Sequence, residues 1–190
     1  MNMGKKIRAS GLARKLARWV APGQTVLDVG SGRGLVSERL AQISGVIPTL
    51  CDVLNYNETS LPFMKMQEPT RLPVGDRSFD IVTLSFVLHH IAASSDQIAL
   101  LREVLRVASK RVLVLEDTPF NRVQHALNVA WDWVQNAPNG VPTPFTFRSV
   151  DAWHSELSRD GFRVVSTESF RSPWPTMGMY RISLLVAERA

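Results

Sequence analysis

"VLDVGSGRG", residues 26–34, places three glycines at alternate positions directly after a short apolar run. The apolar run predicts a buried strand, and the glycines predict a tight turn in which the backbone comes close to a ligand. Such a turn can hold NAD, FAD, a nucleotide phosphate or S-adenosylmethionine. The dinucleotide pattern G-x-G-x-x-G is not met, because Leu35 stands where its last glycine would be. The Gly-Lys-Ser/Thr of a P-loop is also absent.

A carboxylate follows the turn at the end of the next predicted strand. Asp52 lies 22 residues after Gly30. A carboxylate at this place can accept hydrogen bonds from both hydroxyls of a ribose. NAD and S-adenosylmethionine both carry that ribose, so Asp52 predicts a nucleoside-containing ligand and leaves the choice between the two open.

Strand patterns and helix patterns alternate along the chain with short connections. This alternation predicts an α/β fold, a Rossmann-like seven-stranded mostly parallel sheet with helices on both faces and an antiparallel C-terminal edge hairpin. We expect one domain over residues 1–190. The predicted strands are 25–29, 45–52, 62–67, 79–87, 111–117, 162–170 and 179–188, and the predicted helices are 34–43, 94–107, 121–136 and 149–159.

The first 22 residues predict a further, basic helix, with Ser10 as its cap and Pro22-Gly23 as its end. Six of the 22 basic residues lie in 1–27, which hold no acid, so the rest of the chain carries 16 basic and 17 acidic residues. The helix either lies on the sheet with its charges in water or contacts a membrane or nucleic acid. Because the rest of the chain is nearly neutral, we expect no nucleic acid partner.

Composition limits the remaining classes. A hydrophobic content of 45% and a charged content of 21% are ordinary for a soluble globular protein, and no apolar run reaches the roughly 20 residues of a membrane span. The single cysteine, Cys51, allows no internal disulfide and fits a cytoplasmic protein. One cysteine and scattered histidines predict no metal site.

A longer block supports one of the possible ligands. Together with the glycine turn and Asp52, "RLPVGDRSFDIVTLSFVLHHI" (71–91) resembles the class I S-adenosylmethionine-dependent methyltransferases, and most closely the methyltransferase type 11 group. The resemblance covers most of the chain. Residues 131–149 are also similar to a segment of small members of that group. The resemblance implies S-adenosylmethionine as the cofactor.

The same resemblance implies where the cofactor binds. Asp28 and Gly30 would lie by its methionine end, and Asp52 would hold the ribose. Glu68 and Leu72 would contact the adenine, although Glu68 stands where members often have a shorter Asp. Ser85 would lie near the sulfonium. The implied cofactor-binding set is Asp28, Gly30, Ser31, Gly32, Gly34, Asp52, Glu68, Leu72 and Ser85.

Methyl transfer is an in-line displacement that chiefly needs a positioned nucleophile and a dry site. A general base is needed only if the acceptor is a protonated hydroxyl, a carbon acid or a charged amine. His89 and His90 follow the fourth strand and His125 precedes the predicted lid, so these three are hypotheses for the base, with a structural role left open. Glu116 and Asp117 end the fifth strand, where they either cap the next segment or face the cleft.

Residues 119–148 predict a lid over an acceptor site, because this insertion carries several aromatic residues and prolines. The segment 172–180 adds Trp174, Met177 and Met179. The composition favours a small-molecule acceptor that is apolar, aromatic or lipid-like. Two alternatives remain open: a non-catalytic S-adenosylmethionine-binding regulatory protein, and a methyltransferase that acts on a protein or RNA partner through the basic helix. The sequence predicts no oligomeric state.

Overall fold

A computed structural model describes residues 3–137, 140, 143–171 and 180–190. The predicted fold class is confirmed, because seven strands form one sheet in the order β3-β2-β1-β4-β5-β7-β6. All neighbouring pairs are parallel except the two that involve β7. The strands are β1 Val26–Val29, β2 Thr49–Asp52, β3 Phe63–Lys65, β4 Phe79–Ser85, β5 Ala108–Asp117, β6 Phe162–Arg171 and β7 Arg181–Arg189.

Helices cover both faces of this sheet. They are α1 Met3–Ala17, α2 Leu35–Ser44, α3 Ser94–Val107, α4 Arg122–Asn136 and α5 Val150–Leu157, and a 3-10 turn spans Leu88–His90. One core layer holds Leu12 and Leu16 of α1 with Leu40 of α2, and the other holds residues of α3 and α5 such as Leu101 and Trp153. Burial of both faces explains why β1 and β4 are almost continuously apolar.

Several element boundaries differ from the sequence prediction, most of all those of α1 and the second strand. The predicted cap at Ser10 is wrong, because α1 already begins at Met3 and runs through Ser10. The helix also ends at Ala17, before Pro22-Gly23. The second strand begins only at Thr49, because Pro48 has no backbone N–H to donate to a neighbouring strand.

The topology places the carboxyl ends of the parallel strands at one edge of the sheet, where ligands of such sheets bind. β2 and β3 lie on one side of β1, and β4 and β5 lie on the other side. The direction in which successive strands are added to the sheet therefore reverses between β1 and β4. Gly30, Asp52, Ser85 and Asp117 all lie at this edge. Within the described part of the chain, no helix is long and apolar enough to cross a membrane.

Part of the predicted acceptor insertion cannot be compared with the structure. Pro138 and Pro142, and the segment 172–179 with Trp174, Met177 and Met179, lie outside the described residues. The described part of residues 119–148 contains α4 and the irregular segment that leads to α5. The lid over residues 119–148 therefore stays a prediction.

Candidate active site

The glycine turn has three left-handed residues with different surroundings. Gly30, Gly32 and Gly34 have φ values of 67°, 53° and 75°. A Cβ on Gly30 would lie 2.4 Å from Cγ2 of Val87, and one on Gly34 would lie 2.7 Å from Cδ1 of Leu50. A Cβ on Gly32 would meet nothing within 4 Å. The outer glycines therefore allow close packing, while the middle one leaves backbone open to a ligand.

Asp52 is fixed at the rim of this turn. Its Oδ2 accepts a hydrogen bond of 2.8 Å from the Gly32 N–H, and its Oδ1 accepts one of 2.7 Å from the Val53 N–H. The residue is 9% exposed. Because a carboxylate offers about four acceptor positions, both oxygens can still accept a hydroxyl from a ribose.

Asp28 lies beneath the turn, in the middle of β1. Its carboxylate accepts hydrogen bonds of 2.7 Å from the Ser37 hydroxyl of α2 and from the Thr83 hydroxyl of β4. Burial raises the pKa of Asp28 to about 6, although the two hydroxyls lower it. Asp28 therefore connects the elements that carry the turn.

Two serines beside the turn have buried hydroxyls. The Oγ atoms of Ser31 and Ser85 are buried and have no hydrogen-bond partner among the described residues. A buried hydroxyl without a partner is costly, and a bound polar ligand would remove that cost. The open backbone at Gly32, the Asp52 carboxylate and these two hydroxyls form a set that fits a nucleoside with an attached amino acid.

The two residues that the resemblance assigns to adenine differ in exposure: Glu68 lies at the surface and Leu72 in the core. Glu68 is exposed, two residues after Met66, whose N–H donates to the carbonyl oxygen of Asp52. The Leu72 side chain is buried in the core. The Leu72 N–H donates to Oε2 of Glu103 at 3.0 Å, so this backbone donor is already used within the protein.

A cavity of about 260 Å³ adjoins the glycine turn. It begins at Leu35, the residue after Gly34, and extends beneath α4. One part of its wall is apolar or aromatic and includes Leu12, Leu35, Val36, Phe86, Trp131 and Tyr180. The other part is polar and includes Arg8, His89, His90, Asp117, Asn128, Asp132 and Asn136. The cavity can therefore enclose an apolar ring and also bind its polar substituents.

His89 is held by a buried carboxylate on the polar side of the cavity. Its Nδ1 lies 2.6 Å from Oε2 of Glu116, and the other Glu116 oxygen accepts hydrogen bonds from the Val87 and Leu88 N–H groups. Burial lowers the pKa of His89, but the charge and hydrogen bond of Glu116, together with the charges of Asp117 and Asp132, raise this pKa to about 9. His89 therefore carries a proton at neutral pH.

Several polar atoms at this wall have no partner within the described chain. They are Oδ1 of Asp117, Oδ2 of Asp132, both side-chain atoms of Asn128 and Nε1 of Trp131. Burial raises the pKa of Asp117 to about 7, although His89 and Arg8 lower it. Phe86 has a φ of 61°, a costly conformation for a bulky residue. Backbone strain and unpartnered polar atoms at one cavity indicate a functional site.

The comparison with known families agrees with this geometry. A sequence model described as a methyltransferase domain matches residues 5–167. The chain belongs to the methyltransferase-domain family. The resemblance to the S-adenosylmethionine-dependent methyltransferases is thereby confirmed at the level of the family.

Curated relatives of this chain carry names of the demethylmenaquinone and ubiquinone/menaquinone methyltransferase type. A demethylmenaquinone methyltransferase of Mycobacterium bovis is 36% identical over 155 residues, which cover 74% of this chain and 64% of the relative. A ubiquinone/menaquinone biosynthesis C-methyltransferase of Paraburkholderia phymatum is 29% identical over 126 residues, covering 60% of this chain and 50% of the relative. The chain thus spans about half to two thirds of the length of these relatives.

Solved structures share the fold of this chain. A magnesium protoporphyrin IX methyltransferase from Synechocystis PCC 6803 with bound SAH has a TM-score of 0.69 and is 20% identical, covering 100% of this chain and 89% of its own. An S-adenosylmethionine-dependent methyltransferase from Aquifex aeolicus has a TM-score of 0.66 at 20% identity, covering 97% and 93%.

The fold brings most of the predicted site residues to one edge of the sheet. The glycine turn, Asp52 and Ser85 meet there, and His89 and His90 line the adjoining cavity. His125 is different. It is exposed and lies in a separate surface depression with Phe120 and Arg122, so the structure does not bring it to the cavity beside the glycine turn.

The sequence analysis missed two polar residues of the cavity, Asn128 and Asp132. They are four positions apart in α4 and therefore share one face of the helix. Trp131 also faces the cavity. The spacing of Asn128 and Asp132 along one helix face is a signal in the sequence. It could have indicated that this face lines a polar pocket and is not packed in the core.

Proposed function

We propose that this methyltransferase transfers a methyl group from S-adenosylmethionine to a carbon of a small aromatic ring that carries an acidic hydroxyl, of the hydroquinone type. The observation that carries the proposal is the cavity beside the glycine turn, with one apolar wall and one wall of unpartnered polar atoms. The names of the curated relatives support the same class of acceptor.

Binding of the methyl donor is assigned to the edge of β1, β2 and β4. The turn from Gly30 to Gly34 would cradle the donor, Asp52 would accept its ribose hydroxyls, and Ser31 and Ser85 would gain hydrogen bonds. When bound, S-adenosylmethionine supplies a sulfonium-activated methyl group. The protein contributes orientation and exclusion of water, which are the main requirements of an in-line displacement.

The acceptor would lie between the apolar and the polar wall. Trp131 and Phe86 provide aromatic contact area for a ring. Asn128 and Trp131 can pair with the ring hydroxyls, because they carry buried atoms that have no partner within the described residues. A hydroxyl-free hydrocarbon would leave these atoms unsatisfied, so the cavity favours a hydroxylated ring over a purely apolar one.

Asp117 is the group that we assign to proton removal. A pKa of about 7 leaves a large share of this carboxyl ionised at neutral pH, and its free Oδ1 can accept the hydroxyl proton. Removing that proton makes the ring carbon nucleophilic. That carbon would bond to the methyl group as the methyl–sulfur bond breaks and S-adenosylhomocysteine leaves. The proton on the methylated carbon would pass to solvent as the ring becomes aromatic again, and Asp117 would return its proton to the ring oxygen. His89 is less suited to this task, because its pKa of about 9 keeps it protonated.

Calorimetry with S-adenosylmethionine tests the donor site. We expect the wild-type chain to bind one equivalent and Asp52→Ala to weaken binding by roughly 10- to 100-fold, since hydrogen bonds to a charged group are worth about 1.5–3 kcal/mol. Asp151→Ala, which removes an exposed carboxyl of α5, is the matched control and should bind normally. Absence of binding, or equal binding by Asp52→Ala, would refute the assignment.

The acceptor class is tested separately with the wild-type protein. Short-chain hydroquinones and polar amines are offered with S-adenosylmethionine, and mass spectrometry identifies the methylated atom. We expect a C-methylated hydroquinone. Exclusive methylation of amines, or cofactor binding with no turnover of any hydroxylated ring, would contradict the proposed acceptor while leaving the donor site intact.

A further inference from the structure

We propose that His89, His90 and Asp132 form a binding site for one divalent transition-metal ion of the Zn²⁺ type. The site lies on the polar wall of the cavity. It goes beyond methyl transfer, which needs no metal. It also departs from the sequence prediction of no metal site, and one titration decides between the two.

The arrangement of the three side chains is the first argument. One potential ligand atom from each residue lies within 4.8 Å of the other two. Nε2 of His89 is 3.8 Å from Oδ1 of Asp132, which is too long for a hydrogen bond. Two ligands at about 2.0–2.2 Å from a tetrahedral Zn²⁺ are separated by roughly 3.3–3.6 Å. Small side-chain rotations would therefore place all three ligands around one ion.

The surroundings of His89 provide the second argument. Metal-bound histidines usually donate their other ring N–H to a carboxylate, which fixes the ring and its tautomer. Nδ1 of His89 makes this contact with Glu116 at 2.6 Å, and Glu116 is itself held by two backbone N–H groups. Nε2 is thus directed toward Asp132. Binding of Zn²⁺ at Nε2 releases the proton of that atom to solvent.

Unpartnered polar atoms provide an independent argument. Asp132 is 6% exposed and Asn128 is 3% exposed. Oδ1 of Asp132 accepts a hydrogen bond from Asn136, but Oδ2 has no partner within the described chain, and neither has either side-chain atom of Asn128. A cation would compensate the carboxylate, and a water molecule could complete its coordination.

The ligands come from two separate parts of the fold. His89 and His90 belong to the 3-10 turn after β4, whereas Asp132 belongs to α4. A bound ion would therefore connect α4 to the edge of the sheet and would stabilise the folded chain by mass action. It would also present a coordination position to the cavity, where an oxygen of a ligand could bind.

Titration of the full chain with metal tests the proposal without any activity assay. After treatment with a chelator, Zn²⁺ is titrated by calorimetry, and Co²⁺ is titrated by its visible absorbance, which reports tetrahedral coordination. We expect one equivalent of either ion and a rise in the midpoint of thermal unfolding. Variants His90→Ala and Asp132→Asn should weaken binding at least 10-fold.

The control variant is His154→Ala, because His154 is an exposed histidine of α5, outside the cavity. It should bind both ions like the wild type. Circular dichroism shows whether each variant is folded, and Asp132→Asn preserves the shape of the side chain. The proposal is overturned if the wild type binds no ion stoichiometrically, or if the folded cavity variants bind the ion as tightly as the wild type. Binding of S-adenosylmethionine is measured separately and does not affect this result.

Discussion

At the scale of single residues, the two acidic side chains that end β5 have different roles. Glu116 is fully buried and has three hydrogen-bond contacts, to His89 and to the Val87 and Leu88 N–H groups. The neighbouring Asp117 faces the cavity with an unpartnered oxygen. Neighbouring residues of a strand point to opposite sides, so one carboxylate supports the site from behind while the other can touch a ligand.

This division predicts the effect of Asp117→Asn. Because burial raises the pKa of Asp117 to about 7, the carboxylate form increases as the pH rises through 7. We expect wild-type kcat/KM to rise over the same range. The variant should lose this rise, and its kcat should fall by about 10²- to 10⁴-fold, the usual contribution of a general base. Initial rates from pH 5.5 to 8.5 with a hydroquinone acceptor measure both effects.

Asp151→Asn is the control for these rates, because Asp151 is an exposed carboxyl of α5. Its pH profile should match that of the wild type. If Asp117→Asn folds normally and keeps the wild-type pH profile, another group removes the proton. The histidines would then be the next candidates for the general base.

At the scale of elements, Asp28 is the point where β1, α2 and β4 meet. Its two oxygens accept hydrogen bonds from Ser37 and Thr83. The carboxyl is 4% exposed, and its pKa of about 6 exceeds that of an unfolded Asp near 3.9. The folded chain therefore binds this proton more tightly than the unfolded chain does. The resulting stabilisation is complete below pH 4 and is lost as the pH rises from 4 to 6.

Asp28→Asn should remove this dependence on pH. An amide can keep hydrogen bonds with both hydroxyls without carrying a charge. Relative to the wild type, the free energy of unfolding of the variant should increase between pH 4 and 6 and stay constant above pH 6. The gain is at most about 3 kcal/mol, since one pKa unit corresponds to about 1.4 kcal/mol. Urea unfolding at four pH values measures it, and a loss of stability that is equal at every pH would contradict the expectation.

The sequence predicts these elements where the determining signal is local. The apolar run of β1 and the glycines directly after it predict the turn, and the alternation of strand and helix patterns along the chain predicts the fold class. The start of α1 is missed because helix propensity continues on both sides of Ser10. The contact of Asp132 with His89 joins residues 43 positions apart in the chain, and only the packing of α4 over the sheet edge brings them together.

At the scale of the whole molecule, α1 connects distant parts of the fold. Leu12 and Leu16 are buried with residues of β5 and β7, while Lys15 and Arg18 form ion pairs with Glu168 on the edge strand β6. The charges that suggested a nucleic acid or membrane partner are thus partly used within the protein. This arrangement supports the interpretation of α1 as a helix that lies on the sheet.

The two kinds of contact should differ in what they contribute to stability. Leu16→Ala removes a side chain that is 1% exposed, and we expect it to lower the free energy of unfolding by about 2–5 kcal/mol, through lost burial and a new cavity. Glu168→Ala removes partly exposed ion pairs and should cost about 0–1 kcal/mol, with a smaller effect at high salt because the charges are then screened. Urea unfolding at low and high salt measures both variants. If Glu168→Ala costs more than Leu16→Ala, charge pairing rather than apolar packing holds α1 to the sheet.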